Sequence, residues 1–342
     1  MINKAVENSV TRVMITLGMV LIVAMGNTAY CKTHESGTTK NNSPIQKILF
    51  VASYNVKNPW SSGIKSGIES VIKSRKNVIL KVFNMDTMGV KSEEKKKAAA
   101  MEAKRVIDSW KPDIVITSDD NAAKFLIVPY FMDSDIPFVF CGVNWDASKY
   151  GFPSKNVTGM IEVQLVDQLI KYLSPYAKGN NVGSLRGNTM TNRIEAEHFE
   201  RQLGTTIKTC FVNDINEWKR LFVQLQTEVD MILLGDIDTV ELNGVSKSDV
   251  EKFIFENTKI PTGHWDAWFK NNALITLATV PEEQGEYAAR AALEILDGKH
   301  PGDIPLVKNK KAKIFLNMKL AKKLGIVFPM DLVDSAQLVP AD

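Results

Sequence analysis

The sequence predicts an α/β protein built from two doubly wound parallel sheets. Three observations support this. The chain has 342 residues, too many for one small core and suited to two domains. From Ile48 onward, short apolar runs alternate with amphipathic segments of helical length. The same alternation recurs in the second half of the chain. It is typical of βαβ units, in which helices cover both faces of a parallel sheet.

The N-terminus precedes this pattern and resembles an export signal. Lys4 and Arg12 precede an uncharged run over 13–26, which ends in small residues suited to signal peptidase. We therefore predict a signal peptide over 1–26 and a flexible linker over 27–44. An uncleaved membrane anchor and lipidation at Cys31 remain alternatives, although Tyr30 is bulky for a lipoprotein signal. All three place the mature protein outside the cytoplasm.

The first half contains the predicted elements of one sheet. The segment WSSGIKSGIESVIKS places Ile64, Ile68, Val71 and Ile72 on one helical face, and Ser92 is the expected N-cap of the next helix. The predicted strands are KILFVASY, NVILKVFNM, DIVITS and PFVFCGV, and the second helix is SEEKKKAAAMEAKRVIDSW.

The second half repeats the order of strand and helix. The predicted strands are NVGSLR, TIKTCFV, DMILLGD, ALITLATV and AKIFLN. The predicted helices are TNRIEAEHFERQLG, INEWKRLFVQLQTEV, SDVEKFIFENT and EEQGEYAARAALEILDG. In such sheets a ligand binds beyond the carboxyl ends of the strands, so the loops there are the candidate site.

These loops combine aromatic rings with short polar side chains, as small-molecule pockets do. They span 53–60, 118–124, 141–148, 186–193, 235–239 and 263–268. The alternative for any one ring is that it only packs the edge of a domain.

The segment SDDNAAK, from Ser118 to Lys124, presents two carboxylates at the end of a strand. Either Asp119 or Asp120 is expected to cap the helix that begins near Asn121, while the other faces a ligand. Capping alone is the alternative for each. Pro129 lacks a backbone donor, so this helix should be short.

The residue types argue against several other functions. A net charge of +3, without a basic and aromatic surface, disfavours nucleic acid. No G-x-S-x-G, G-x-G-x-x-G, P-loop, H-E-x-x-H or EF-hand pattern occurs, so we expect no enzyme activity, metal or cofactor. Cys141 follows a strand but lacks an evident histidine partner, which favours a buried thiol over a nucleophile.

Several blocks carry a resemblance to a known family. SDDNAAK, P-x-VFCGVNWD and NVTGM-x-EV are similar to signatures of the ABC-type substrate-binding family that includes tryptophan- and phenylalanine-binding lipoproteins. RGNTMTNR and the P-x-E-x-G of Pro281, Glu283 and Gly285 fit more loosely. The resemblance covers about 45–325 and implies a type I periplasmic binding protein clamshell, with two lobes joined by three crossovers.

This resemblance implies lobe one over 45–146 plus 265–302, and lobe two over 147–264 plus 303–342. It also implies an extracytoplasmic monomer that passes a small polar ligand, an amino acid or related compound, to an ABC permease. A sensory module that reports the ligand to a membrane receptor is the alternative function.

The expected ligand contacts combine hydrogen-bonding groups from both lobes with flanking aromatic rings. An ammonium group would suit the carboxylates, and Arg186 with helix N-termini would suit a carboxylate. The predicted residues are Tyr54, Asn55, Trp60, Asp119, Asp120, Asn121, Asn144, Trp145 and Asp146 in lobe one, with Arg186, Asn188, Thr189, Thr191, Asp236, Asp238, Trp265 and Asp266 opposite or beside them.

Overall fold

The structure, a computed structural model, describes residues 44–55 and 57–340. The predicted signal peptide, Cys31 and all of the predicted linker except its last residue lie outside these ranges. The strands, in chain order, are β1 Gln46–Ala52, β2 Val78–Asn84, β3 Ile114–Ser118, β4 Phe138–Asn144, β5 Val157–Glu162, β6 Val182–Gly187, β7 Lys208–Val212, β8 Met231–Leu234, β9 Thr262–His264, β10 Ile275–Thr279, β11 Val307–Lys308, β12 Ala312–Asn317 and β13 Gln337–Val339.

The helices cover both faces of the sheets, as predicted for a doubly wound fold. They are α1 Pro59–Ile72, α2 Glu93–Trp110, α3 Asp119–Ala122, α4 Val128–Tyr130, α5 Val166–Leu173, α6 Met190–Leu203, α7 Ile215–Leu225, α8 Lys247–Asn257, α9 Pro281–Leu296, α10 Met318–Leu324 and α11 Met330–Ser335. Ser92 caps α2 as predicted, because its Oγ accepts the Lys95 N–H at 3.2 Å.

Two sheets form the centres of the two lobes. The first has the order β11-β5-β4-β3-β1-β2 and is parallel throughout. The second has the order β13-β12-β10-β9-β8-β6-β7 and is parallel except where β12 runs antiparallel to β10. The predicted α/β fold with two doubly wound sheets is confirmed.

Sheet membership differs from the predicted lobe boundaries at three strands. The segments of β5 and β11 lie in the predicted lobe two, but β5 pairs with β4 and β11 pairs with β5. Strand β10 lies in the predicted lobe one but pairs with β9. Lobe one therefore extends to the end of β5 and resumes at α9, while lobe two runs from α5 to β10 and resumes at β12. Apolar strands look alike in sequence, so their periodicity does not reveal which sheet they join.

The chain crosses between the sheets three times, at 163–165, 280 and 309–311. Each crossing starts where a parallel strand ends, on the same side of the sheets. After the third crossing the chain enters lobe two from that side, so β12 runs opposite to its neighbour β10.

Side chains tie the crossings to one another. The buried Asn309 amide accepts the Val163 N–H at 2.8 Å and donates to the Val163 carbonyl at 3.0 Å. Glu283, in the first turn of α9, accepts the backbone N–H groups of Lys310 and Lys311. The first and third crossings are therefore joined by one amide, and the third is joined to α9 by one carboxylate.

Helices α1 and α9 pack so closely in lobe one that their backbones are in direct contact. A Cβ placed on Gly285 would lie 1.9 Å from the Ile64 carbonyl oxygen, and one on Gly67 would lie 2.2 Å from the Glu282 carbonyl oxygen. Glycine is required at both positions because the obstructing atoms are backbone. Gly285 of the P-x-E-x-G pattern therefore serves packing.

The segment after β3 forms an irregular helix. Helices α3 and α4 are separated by a π-helical turn over Ala123–Ile127, and the chain leaves the helix at Phe131. Pro129 lies in the last turn, where it cannot donate a backbone hydrogen bond. The helical segment ends one residue after Pro129, but it runs without a break over 119–130 and is longer than the short helix expected.

Candidate functional site

The carboxyl ends of β1 and β3 form a tightly bonded wall in lobe one. The Ser53 hydroxyl donates to the Ser118 carbonyl at 2.5 Å and accepts the Ala122 N–H at 2.8 Å. The helix begins at Asp119, and neither aspartate side chain caps it. The capping prediction for Asp119 or Asp120 is therefore wrong, because a hydroxyl from a neighbouring strand already satisfies the amide near the helix start.

Asp119 is a buried acid with one unused oxygen. Asp119 is only 3% exposed. Its Oδ1 accepts the Trp60 Nε1–H at 2.8 Å, whereas Oδ2 has no hydrogen-bond partner. The backbone has φ of 68°, and a Cβ on Gly142 would come within 3.0 Å of Oδ1. Burial raises the pKa of Asp119 to about 7, although the neighbouring Ser118 hydroxyl and the bond from Trp60 oppose the shift.

Both carboxylate oxygens of Asp120 are bonded to residues of one neighbouring loop. Its Oδ2 accepts from both the backbone N–H and the side-chain amide of Asn144, at 3.2 and 2.8 Å. Its Oδ1 accepts from the Tyr150 hydroxyl at 2.7 Å and lies 2.9 Å from Lys149 Nζ. Asp120 thus fixes the 144–150 loop, and Asn144 is committed to that same bond network.

Trp145 connects the two lobes. Its ring stacks on His198 of α6, with centroids 5.0 Å apart, and its Nε1–H donates to Gln164 Oε1 at 2.7 Å. Asp146 is exposed and accepts the N–H and hydroxyl of Ser148, which lowers its pKa. The Asp146 carboxylate therefore stabilises a turn.

Glu162 was not predicted from the sequence. It ends β5, directly before the first crossing, and is half-buried. Its pKa is raised well above the ordinary value by burial, then by the charges of Asp119 in lobe one and Asp266 in lobe two, while a hydrogen bond with Thr279 opposes the shift. The signal was a carboxylate at the end of the VTGMIE run, but that run had been assigned to the other lobe.

Tyr54 shares the surroundings of Asp119 and Glu162. Burial raises the pKa of its hydroxyl, and the charges of Asp119, Asp120 and Glu162 raise it further. The predicted combination of Tyr54, Trp60 and Asp119 is therefore brought together at one place in lobe one.

Arg186 and Trp265 lie inside lobe two. The guanidinium stacks between Phe199 and Trp265, with centroids 4.6 and 4.8 Å from Cζ. Its Nη1 pairs with Glu195 and its Nε donates to Ser184 Oγ at 2.7 Å. Arg186 is 1% exposed and Trp265 is 4% exposed. Both residues pack in the core of lobe two, and their role as ligand contacts stays a prediction.

Asp266 in lobe two also has a raised pKa. Burial, together with the charges of Glu195 and Asp236, raises the pKa of half-buried Asp266 to about 7. His264 Nε2 lies 3.8 Å from Asp266 Oδ2, but burial lowers the pKa of His264 to about 3. The imidazole is therefore neutral and does not compensate the Asp266 charge.

The remaining predicted residues mostly have local partners. Asn188 contacts Asn213 and Arg193, Thr189 caps α6, and Asp238 pairs with Lys247 at the surface. Asn55 accepts the Lys57 N–H, Asn121 donates to Thr87 Oγ1, Asp236 accepts the Asp238 N–H, and Thr191 is exposed. Their contacts identify turns and caps without singling out a ligand.

Other kinds of site find little support in the part of the chain that the structure describes. There, no three His, Cys, Asp or Glu side chains are placed to hold a metal ion. Cys141 is fully buried and burial raises its pKa, as expected for a structural thiol. Within 44–55 and 57–340, no helix combines the length and the apolar character needed to cross a bilayer.

Comparisons with known proteins match this architecture. A ligand-free, open substrate-binding protein with adhesive properties from Clostridium difficile is 18% identical, with a TM-score of 0.67 over 87% of this chain and 100% of that one. An ABC domain in complex with L-Trp from Streptococcus pneumoniae is also 18% identical, with a TM-score of 0.55 over 86% of this chain and 100% of the other. A periplasmic ribose ABC transporter protein from Conexibacter woesei is 12% identical, with a TM-score of 0.54 over 83% and 96%.

These likenesses establish the fold of a type I periplasmic binding protein. No curated protein sequence matches the chain. The model of the family described as "ABC transporter substrate binding protein" matches residues 54–339, which is most of the chain. The chain therefore belongs to the ABC transporter substrate-binding protein family.

Proposed function

We propose that this protein works outside the cytoplasm and captures a small ligand with an amino group between its two lobes. The ligand is an amino acid or a related compound, which the protein delivers to an ABC permease in the membrane. The observation that carries the proposal is the unpartnered Oδ2 of buried Asp119. A buried polar atom without a partner costs free energy, and a ligand ammonium would supply the missing donor and a compensating charge.

The surroundings of Asp119 support an ammonium site. Tyr54 and Trp60 add aromatic rings beside the carboxylate, and aromatic faces attract cations. Asn55 and Asn121 lie at the same strand ends and would provide hydrogen bonds, whereas Asp120 and Asn144 hold the neighbouring loop in place. In this proposal the lobes close on the ligand by hinge motion at the crossings, and the permease recognises the closed form.

A thermal-shift screen tests the ligand class. Amino acids, nucleosides, sugars and small peptides are added to the purified protein, and a ligand at 100 times its Kd should stabilise the folded state by about 2.7 kcal/mol. We expect amino compounds to raise the transition temperature. A shift produced by sugars or nucleosides, with none from amino compounds, contradicts the proposed ligand class.

Asp119→Asn separates binding from structure. Asparagine keeps the acceptor for Trp60 and removes a charge that burial disfavours, so stability should be maintained while affinity falls at least about tenfold. Asp108→Asn, at an exposed ion pair with Lys104, is the matched control. If Asp119→Asn binds as tightly as the control, the ammonium site is elsewhere. Delivery is tested by whether the ligand-loaded protein stimulates the ATPase activity of its permease.

A further inference from the structure

Three carboxyl groups from different parts of the fold lie close enough for their charges to influence one another. Asp119 follows β3 in lobe one, Glu162 ends β5 at the first crossing, and Asp266 follows β9 in lobe two. The charges of Asp119 and Asp266 both act on Glu162, although they belong to opposite lobes. Glu162 pairs with Asn144 of β4 and directly precedes the first crossing, so it lies where the two lobes join.

These carboxyl groups have no cationic partners. Among the residues that the structure describes, no lysine or arginine forms an ion pair with Asp119, Glu162 or Asp266. Asp119 adds a second, independent observation, because its Oδ2 is buried and unpartnered.

The nearby cations are already committed elsewhere. Lys149 pairs with Asp120, and the guanidinium of Arg186 pairs with Glu195 while stacked inside lobe two. His264, next to Asp266, is neutral. A cation in this cleft would therefore compensate carboxylates whose ionisation burial disfavours, whereas a ligand carboxylate would add like charge to a partly buried site.

We propose that the cleft selects a small ligand with a net positive charge and two cationic nitrogen groups, recognised by Asp119, Glu162 and Asp266. A cationic amino acid and an aliphatic diamine both carry this chemistry. One nitrogen group binds beside Asp119 and its aromatic neighbours, and the second binds between Glu162 and Asp266. This inference rests on the proposed function and narrows its substrate class, with Glu162 as a residue that determines specificity.

Lysine and norleucine provide a matched pair of probes, because they differ by the terminal ammonium group on nearly equal side chains. Calorimetric titration of the purified protein with lysine, norleucine and 1,4-diaminobutane measures the contribution of that group. We expect lysine or 1,4-diaminobutane to bind at least tenfold more tightly than norleucine. The difference between lysine and 1,4-diaminobutane then shows whether the natural source is an amino acid or a diamine.

Glu162→Gln tests the specificity residue. Glutamine has nearly the same volume and can still bond to Thr279, so the variant should fold and lose at least tenfold in affinity for the cationic probe. Glu102→Gln, at an exposed pair with Arg105 on α2, is the control and should bind normally. Asp266→Asn provides a second test of the same cluster if Glu162→Gln does not fold.

The outcomes distinguish this inference from the proposed function. Norleucine binding as tightly as lysine overturns the inference but leaves an amino-acid carrier. Unchanged affinity for the cationic probe in Glu162→Gln or its substitute Asp266→Asn also overturns it. Binding of sugars or nucleosides alone removes both the inference and the proposed ligand class.

Discussion

Gly285→Ala should destabilise lobe one by forcing α1 and α9 apart. The new Cβ would lie 1.9 Å from the Ile64 carbonyl oxygen, 2.8 Å from the Ile64 carbonyl carbon and 2.9 Å from Ile68 N. Real Cβ atoms stay at least 3.0 Å from such atoms, so a shift of 1.1 Å is needed at the closest contact. Because the obstacle is helix backbone, no side-chain rotation relieves it, and the whole α1–α9 interface must adjust.

The magnitude follows from two opposing contributions. Overpacking of a well-packed interior costs about 1–3 kcal/mol and sometimes more, and a backbone clash belongs at the upper end. Alanine is favoured over glycine in a helix by about 1 kcal/mol, which offsets part of this cost. We therefore expect a net loss of at least about 2 kcal/mol in the free energy of unfolding.

Urea titration followed by circular dichroism measures this loss as a lower midpoint with an unchanged slope. The control is Ser66→Ala on the exposed face of α1, which introduces alanine without a steric conflict and should change stability by no more than about 0.5 kcal/mol. A Gly285→Ala protein within about 0.5 kcal/mol of the wild type would refute the close-contact reasoning.

Three further predictions concern the cleft and its supports. Burial raises the pKa of Asp119 and Asp266 from 3.8 to about 7, so the ligand-free protein should lose stability as pH rises from about 4 through 7. A bound cation favours the ionised carboxylates, so affinity should instead increase from pH 6 to 8 in calorimetric titrations; equal affinities across that range contradict the cationic site. Arg186→Met should cost about 3–5 kcal/mol because it leaves Glu195 buried without its partner, and adding Glu195→Leu should recover most of the loss in urea titrations. No recovery would mean that the pair itself is stabilising. Asn309→Ala should cost about 2–4 kcal/mol by leaving both backbone groups of its crossing partner unpaired, and a loss below about 0.5 kcal/mol would show that water replaces the amide.

Much of the fold follows from local patterns in the sequence. The alternation of apolar runs and amphipathic segments identifies β1 to β4, β6 to β8 and the long helices between them, because burial on both faces of a parallel sheet demands continuous apolar strands. The strands β5, β9, β11 and β13 were missed. The last three contain only two or three residues, too few to show any periodicity.

The predicted ligand contacts stay predictions, and their placement shows what a position at the end of a strand can indicate. Asp119 and Trp60 were identified because strand ends are places where ligands bind. Arg186 and Trp265 were identified for the same reason, yet they pack into lobe two, where stacking and an ion pair satisfy the guanidinium. Sequence position indicates the end of a strand but not the direction in which a side chain turns. Glu162 was missed because its strand was not predicted and its segment was assigned to lobe two.

The hydrogen bonds between the Asn309 side chain and the Val163 backbone, a tie between two crossings, also constrain how the lobes can move. This tie holds two of the three crossings together, so the rotation of the lobes in the proposed closure would have its axis near this point. Displacement grows in proportion to distance from the axis. In the proposed closure, Glu162, one residue from the tie, would move little, whereas exposed Met88 and Met190 at the strand-end loops of the two lobes would travel much farther. The acidic floor of the cleft would then stay nearly stationary and contact the ligand before the rims of the lobes arrive.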